Sequence, residues 1–143
     1  MNDGNDKSVF LQVAQAAGLL APHYRTFRIW YMLPTTDLRL ARQRRGTAGD
    51  DRAPLIIHQS KLQETHRCIG LLPVPDSITD EEARNSLYHH FQAENWSPSG
   101  EAQRIISGMG LGHTSMSIGD VIESFDAQTA WMVADYGFTR LPQ

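Results

Sequence analysis

The sequence predicts an α+β domain, a small and mostly antiparallel sheet with a helical hairpin packed on one side. Three stretches carry that reading. Residues 24–33, YRTFRIWYML, set Phe27, Ile29, Tyr31 and Leu33 against Arg25, Arg28 and Trp30, the alternation of a strand rich in aromatic side chains. Residues 78–96, ITDEEARNSLYHHFQAENW, open with helix-starting signals and continue with apolar residues at helical spacing. Residues 119–138 read as a tight turn, a strand, a connection and a second strand.

Taken in order, the elements begin with a short helix capped by Ser8, carrying Val9, Leu11, Val13 and Ala16 and stopped at Gly18. The strand of residues 24–33 ends at Pro34. Thr36 is then expected to cap a helical turn or two before Gly46, with Gly49, Asp50 and Asp51 in an exposed loop. LIIHQ (55–59) and HRCIGLLPV (66–74) read as two further strands, the second closed by Pro73 and Pro75. At Thr79, Glu82 three residues on completes a capping box, Ile78 and Ala83 form a hydrophobic staple, and Asp80, Glu81 and Glu82 face the positive end of the helix dipole. Ala83, Leu87 and Phe91 make the buried line of that helix, with Trp96 just past its end. A second helix from about Ser99, with Ala102, Ile105 and Ile106 inward and Gly108 at its stop, completes the hairpin. In the last strand pair Val121 and Phe125 share a face, as do Ala130, Met132 and Ala134, with Asp126 in the connection. Gly119-Asp120 is the turn that feeds the pair, Asp120 bonding backbone N–H groups there, and Gly137-Phe138 supplies a bend and an aromatic plug.

Size and charge bound the function classes. A chain of 143 residues, 41% of them apolar, buries one core, so residues 1–143 are expected as a single domain with a C-terminal unit at about 77–143. A net charge of −3 argues against a general nucleic-acid or membrane coat, and any basic site must be local. The lone Cys68 excludes an internal disulfide and points to a reducing, cytoplasmic compartment. No apolar run approaches the ~20 residues of a membrane span, and Asp3 and Asp6 stand where a signal peptide carries Lys or Arg, so no membrane is expected among the partners.

The stretch HTSMSIGDVI, with LYHHFQAENW upstream and Gly-Phe near the end, resembles a family of small uncharacterised proteins carried on plasmids, phages and integrative elements, the group that includes the YodL-like domains. The family pattern of Ser-x-Ser-x-Gly-Asp-Val and a closing Gly-Phe falls here on Ser115, Ser117, Gly119, Asp120, Val121, Gly137 and Phe138, over roughly residues 86–141. The resemblance implies an origin on mobile DNA and a counter-defence or maintenance role. It brings no catalysis with it.

The chemistry-bearing residues give no assembled site. His113 stands two residues before Ser115 and would pair a base with a nucleophile in an extended segment, yet turn chemistry accounts for Ser115, Ser117, Gly119 and Asp120 without it. His58, Glu64, His66 and Cys68 match no zinc spacing, while the adjacent His89 and His90 point about 100° apart on a helix, one beside Phe91 and one in solvent. No catalytic residue, metal or other cofactor is therefore assigned. Arg39, Arg42, Arg44 and Arg45, preceded by Arg25 and Arg28, form the one basic concentration, with Asp50 and Asp51 as counter-charges if the segment is simply solvated.

The expected function is a non-enzymatic protein-binding module of a mobile element. Its partner would be a host or element protein, including a defence component, which makes it an anti-CRISPR or anti-restriction inhibitor. Arg39, Arg42, Arg44, Arg45 and Trp30 are the expected partner-binding residues, Trp30 because it falls on the face opposite Phe27, Ile29 and Tyr31. Two alternatives stand beside it: a nucleic-acid-binding accessory protein using Arg39–Arg45, and a small hydrolase or metal enzyme using His113 with Ser115 or His58 with His66.

Overall fold

In a computed structural model, which describes residues 23–45 and 55–143, five strands form one antiparallel sheet. They are β1 (Tyr24–Met32), β2 (His66–Pro75), β3 (Val121–Ser124), β4 (Thr129–Val133) and β5 (Phe138–Arg140), in the order β2-β1-β3-β4-β5. Four α-helices accompany them among the described residues: α1 (Pro34–Arg45), α2 (Leu62–Thr65), α3 (Asp80–His90) and α4 (Ala102–Gly108). The helix expected after Ser8 and the loop expected at Gly49–Asp51 lie outside the described residues. No helix among the described residues is long and apolar enough to cross a membrane.

The alternation in β1 sorts the two faces of the sheet. Phe27, Ile29 and Tyr31 are buried on one face with Ile122 of β3 and Val133 of β4, and α3 and α4 cover them with Ala83, Leu87, Phe91 and Ile106. Arg25 belongs to this face too, contrary to its grouping with Arg28 and Trp30. It stands opposite Val74, and its guanidinium runs past the Phe27 ring at 5.7 Å to Asp76, Asp80 and the Ile78 carbonyl at the start of α3.

The other face is covered as well. Val121, Ala130 and Leu141 meet Ile57 and Leu62 there, with Trp30, Leu40 and Met132 alongside. LIIHQ is therefore not a strand. It is a coil running into a 3-10 turn (Gln59–Lys61) and then α2, because Ile57 and Leu62 lie over the sheet and a covering segment cannot also extend the ladder. Pro73 does not close β2 either; the strand passes through it to Pro75, pairing Pro73 with Thr26, which an edge strand tolerates because its outer side needs no N–H.

α3 begins as its capping signals dictate. The Thr79 hydroxyl accepts from the Glu82 N–H at 3.1 Å, and the Glu82 carboxylate accepts from the Thr79 N–H at 2.8 Å. Trp96 packs on Phe91 with ring centroids 4.5 Å apart, and His90 sits edge-on to Phe91 while His89 is exposed. α4 starts at Ala102 rather than Ser99, and Ile105 is 67% exposed rather than inward. This seven-residue helix touches the core along one narrow stripe, Ala102 and Ile106. α1 is longer than the expected turn or two, and Thr36 does not cap it. Pro34 takes the first position, where its missing N–H costs nothing, and the buried Thr36 hydroxyl donates to the Thr65 carbonyl at 2.9 Å. Gly137-Phe138 bends the chain into β5, a strand the sequence reading missed.

Candidate functional site

The motif loop converges on Asp120, which is fully buried where β1 ends and β3 begins. Oδ1 accepts from the Met32 N–H at 2.8 Å; Oδ2 accepts from the Ser117 N–H at 2.8 Å and lies 2.7 Å from His113 Nε2. The first bond ties the loop to β1, the second closes the turn over residues 117–120, and the third reaches back to the start of the motif. A carboxylate holding three donors is the arrangement that makes a buried negative charge tolerable. Gly119 takes φ +98°, and a Cβ there would meet the Met32 methyl at 2.6 Å. The turn thus needs glycine for its dihedral, while the crowding falls on the flexible end of Met32.

Two histidines near this carboxylate are shifted in opposite directions. The His113 ring stacks on Tyr31 at 4.8 Å and 15°, and the Tyr31 hydroxyl donates to the Thr114 carbonyl at 2.7 Å. Burial opposes the His113 charge, but the bond to Asp120, its negative charge and that of Asp37 outweigh it, so the ring holds its proton above the ordinary imidazole value. His66 is pushed the other way by burial, which the Gly119 carbonyl and Asp120 only partly offset. Its Nε2 therefore carries the hydrogen given to the Gly119 carbonyl at 2.7 Å, and Nδ1 accepts from the Thr65 hydroxyl at 2.8 Å. Because the Thr65 carbonyl also receives the Thr36 hydroxyl and the Leu33 N–H, α1, the start of β2 and the motif loop form one hydrogen-bonded unit. Burial, with Asp120 adding to it, lifts the Tyr31 phenol far above its usual range.

The same loop is tied to α3 on its other side. The buried Met116 donates its N–H to the Phe91 carbonyl, and its own carbonyl accepts from the Gln92 side chain. Ser117 Oγ donates to the Ser115 carbonyl at 3.0 Å. His113 and Ser115, the base and nucleophile of the alternative hydrolase reading, are not joined by a hydrogen bond; His113 is engaged by Asp120 instead.

Between α1 and this loop lies an open cleft of about 550 Å3, lined by Met32, Pro34 and Ala41 and flanked by Asp37, His113 and Ser117. Two large aliphatic side chains stand at it in solvent, Leu38 at 50% and Ile118 at 56% exposure. Of the expected partner-binding residues, α1 carries Arg39, Arg42, Arg44 and Arg45. Arg39 and Arg42 line a second cleft with Leu38, Leu55 and Glu64 on the other flank of the helix, and Arg44 is exposed.

Trp30 does not join them as a free surface anchor. It is on the face opposite Phe27, Ile29 and Tyr31 as expected, but that face is covered: the ring is half-buried and its indole N–H donates to Glu123 at 2.9 Å. His66 is bonded to Gly119, and among the described residues no group of three or more His, Cys, Asp or Glu is placed to hold a metal ion. The half-buried Cys68 faces Arg28 and Glu123, and burial pushes its thiol up. Asp120 as the hub of a His113 contact was the feature that sequence reading missed; its one signal was an acidic residue directly after a turn glycine and seven residues beyond a histidine. No family model, curated protein or solved structure matches this chain.

Proposed function

We propose that this protein is a non-enzymatic protein-binding module whose binding face is the outward side of α1 together with the motif loop. One observation carries the reading: Leu38 and Ile118, each half or more exposed, flank a cleft with an apolar floor on a helix that also presents Arg42 and Arg44. Exposed aliphatic groups beside arginines are the composition that interfaces favour. The locked loop supports it, since a surface held by buried hydrogen bonds loses little freedom on binding. Arginines on this helix suit an acidic partner surface. The resemblance to mobile-element proteins gives the partner its direction, a host or element protein and, among these, a component of a restriction or CRISPR system. Nucleic acid fits less well, because Leu38 would meet phosphate beside Asp37 on a chain of net charge −3.

The test compares wild type, Leu38→Asp/Ile118→Asp and Arg42→Glu/Arg44→Glu as baits in host lysate, with naked duplex and single-stranded DNA assayed beside them. The proposal expects a protein captured by wild type and lost from both variants, with association slowed most at low salt in the arginine variant. Equal capture by all three baits, or tight DNA binding with a steep salt dependence, overturns it.

A further inference from the structure

The two edges of the sheet differ in what their backbones present. Hydrogen-bonded and non-hydrogen-bonded pairs alternate along an antiparallel ladder, and at an edge only residues of the second kind turn their N–H and C=O outward. At the β2 edge the Asp76 N–H donates to the His23 carbonyl, so Val74 faces β1 while Pro73 and Pro75 face outward. Those outward positions have no N–H, which closes this edge to a further strand. At the β5 edge the Ala134 N–H donates to the Gly137 carbonyl at 3.0 Å and the Leu141 N–H to the Ala130 carbonyl at 2.9 Å. Thr139 therefore faces β4, while Phe138 and Arg140 turn both backbone groups away from it. Among the described residues nothing bonds to those groups.

The side chains at the open edge carry positive charge. Val133 and Phe138 are partners across the ladder and pack with the core under α3, so Trp131 and Arg140, the next pair on that face, stand beside them. Arg84 of α3 lies over the Trp131 ring at 4.0 Å and the Phe138 ring at 5.8 Å. Arg140 is exposed, and among the described residues neither arginine is in an ion pair. Of the two carboxylates whose charge reaches Arg84, Asp80 is held by Arg25 and Glu81 is exposed. We propose that β5 accepts an added strand from a partner protein, an extended segment with an acidic side chain opposite Arg140 and an apolar one two residues on, beside Phe138. An antiparallel segment makes about four backbone hydrogen bonds with Phe138 and Arg140, and the acidic side chain supplies the charge that the two arginines lack. A second copy of this chain fits less well: β5 paired with itself about Thr139 would set each Arg140 opposite a Phe138 whose ring already lies under Arg84, bringing like charges together.

The test selects random phage-displayed peptides on the full chain and titrates those enriched into it while amide N–H spectra are recorded. The proposal expects acidic-x-apolar sequences that give saturable shifts at the Phe138 and Arg140 amides. Arg140→Pro removes an outward N–H without touching the β4 ladder, and it is expected to weaken these peptides about tenfold or more. Arg140→Glu, put through the same selection, is expected to enrich basic-x-apolar sequences instead. Leu38→Asp/Ile118→Asp is expected to leave the wild-type peptides unaltered, so the α1 face and the β5 edge stand or fall separately. Should Arg140→Pro not fold, the exposed charge reversal still carries the comparison. Three results overturn the proposal: no enrichment of acidic-x-apolar peptides, binding that Arg140→Pro and Arg140→Glu leave undiminished, or a dimer of the wild-type chain that Arg140→Pro abolishes.

Discussion

Replacing Asp120 by Asn tests the lock at the centre of the motif with almost no change of shape. The carboxylate accepts from three donors, one at Oδ1 and two at Oδ2. An amide has one oxygen, so whichever way it turns an NH2 group faces a donor. In the better orientation the oxygen keeps Ser117 and His113, and the NH2 points at the Met32 N–H inside a fully buried site. Two buried donors then lack partners, at about 1 to 3 kcal/mol each, and the two retained bonds lose their charge assistance. A loss of about 3 kcal/mol follows, a large share of the ~5 to 15 kcal/mol that holds a domain together. Urea unfolding followed by circular dichroism reads it as a lower midpoint at constant slope. His113 supplies the second readout: without the negative charge on its partner its titration moves to lower pH, visible in its ring proton resonances. A loss below about 1 kcal/mol, or an unmoved His113 titration, would show that Asp120 does not lock the loop.

Thr79→Ala removes the hydroxyl that caps α3 and is expected to lower stability by about 1 kcal/mol, read by thermal unfolding. Gly119→Ala is expected to cost about 1 to 2 kcal/mol for the positive φ alone, and because the flexible end of Met32 can move aside, Met32→Ala should recover little of it in a double-mutant cycle. The two histidines bend the pH dependence in opposite senses. His113, raised when folded, stabilises fully below about pH 6.5 and loses that contribution as pH rises through its folded value; His66, lowered when folded, contributes above about pH 6.5 and loses it as pH falls toward its folded value. Stability should therefore peak near that pH in urea midpoints collected from about pH 5 to 8, with His66→Gln removing the acid-side loss and Asp120→Asn the alkaline-side one.

Where the sequence was legible, the cause of structure was local. Thr79 and Glu82 bond to each other's backbone, β1 alternates because its two faces differ, and Gly119 must adopt a positive φ in its turn. Where it was not, a distant surface decided. An apolar run such as LIIHQ reads alike whether it joins a sheet or lies across one, and only the presence of Val121 and Ala130 beneath Ile57 settles which. Ile105 looks as apolar as Ile106 but meets no neighbour that buries it. In the site, Ser115, Ser117, Gly119 and Asp120 were legible as turn chemistry, whereas spacing drew His113 toward Ser115. The folded loop is irregular, so neither strand nor helix periodicity describes which side chains meet across it.

The place of β1 in the sheet sets a timetable for folding. One edge of the strand is filled by β2, but the other waits for β3, so Trp30 stays without Val121 until α3 and α4 have been synthesised. Until then the pair of β1 and β2 has an open ladder on that side, the kind of edge that recruits other chains. Closing it late, across so long a separation, makes folding slow for a domain of this size. A product cut short before Val121 would expose that unpaired edge permanently, and its fate would be aggregation or proteolysis instead of partial activity.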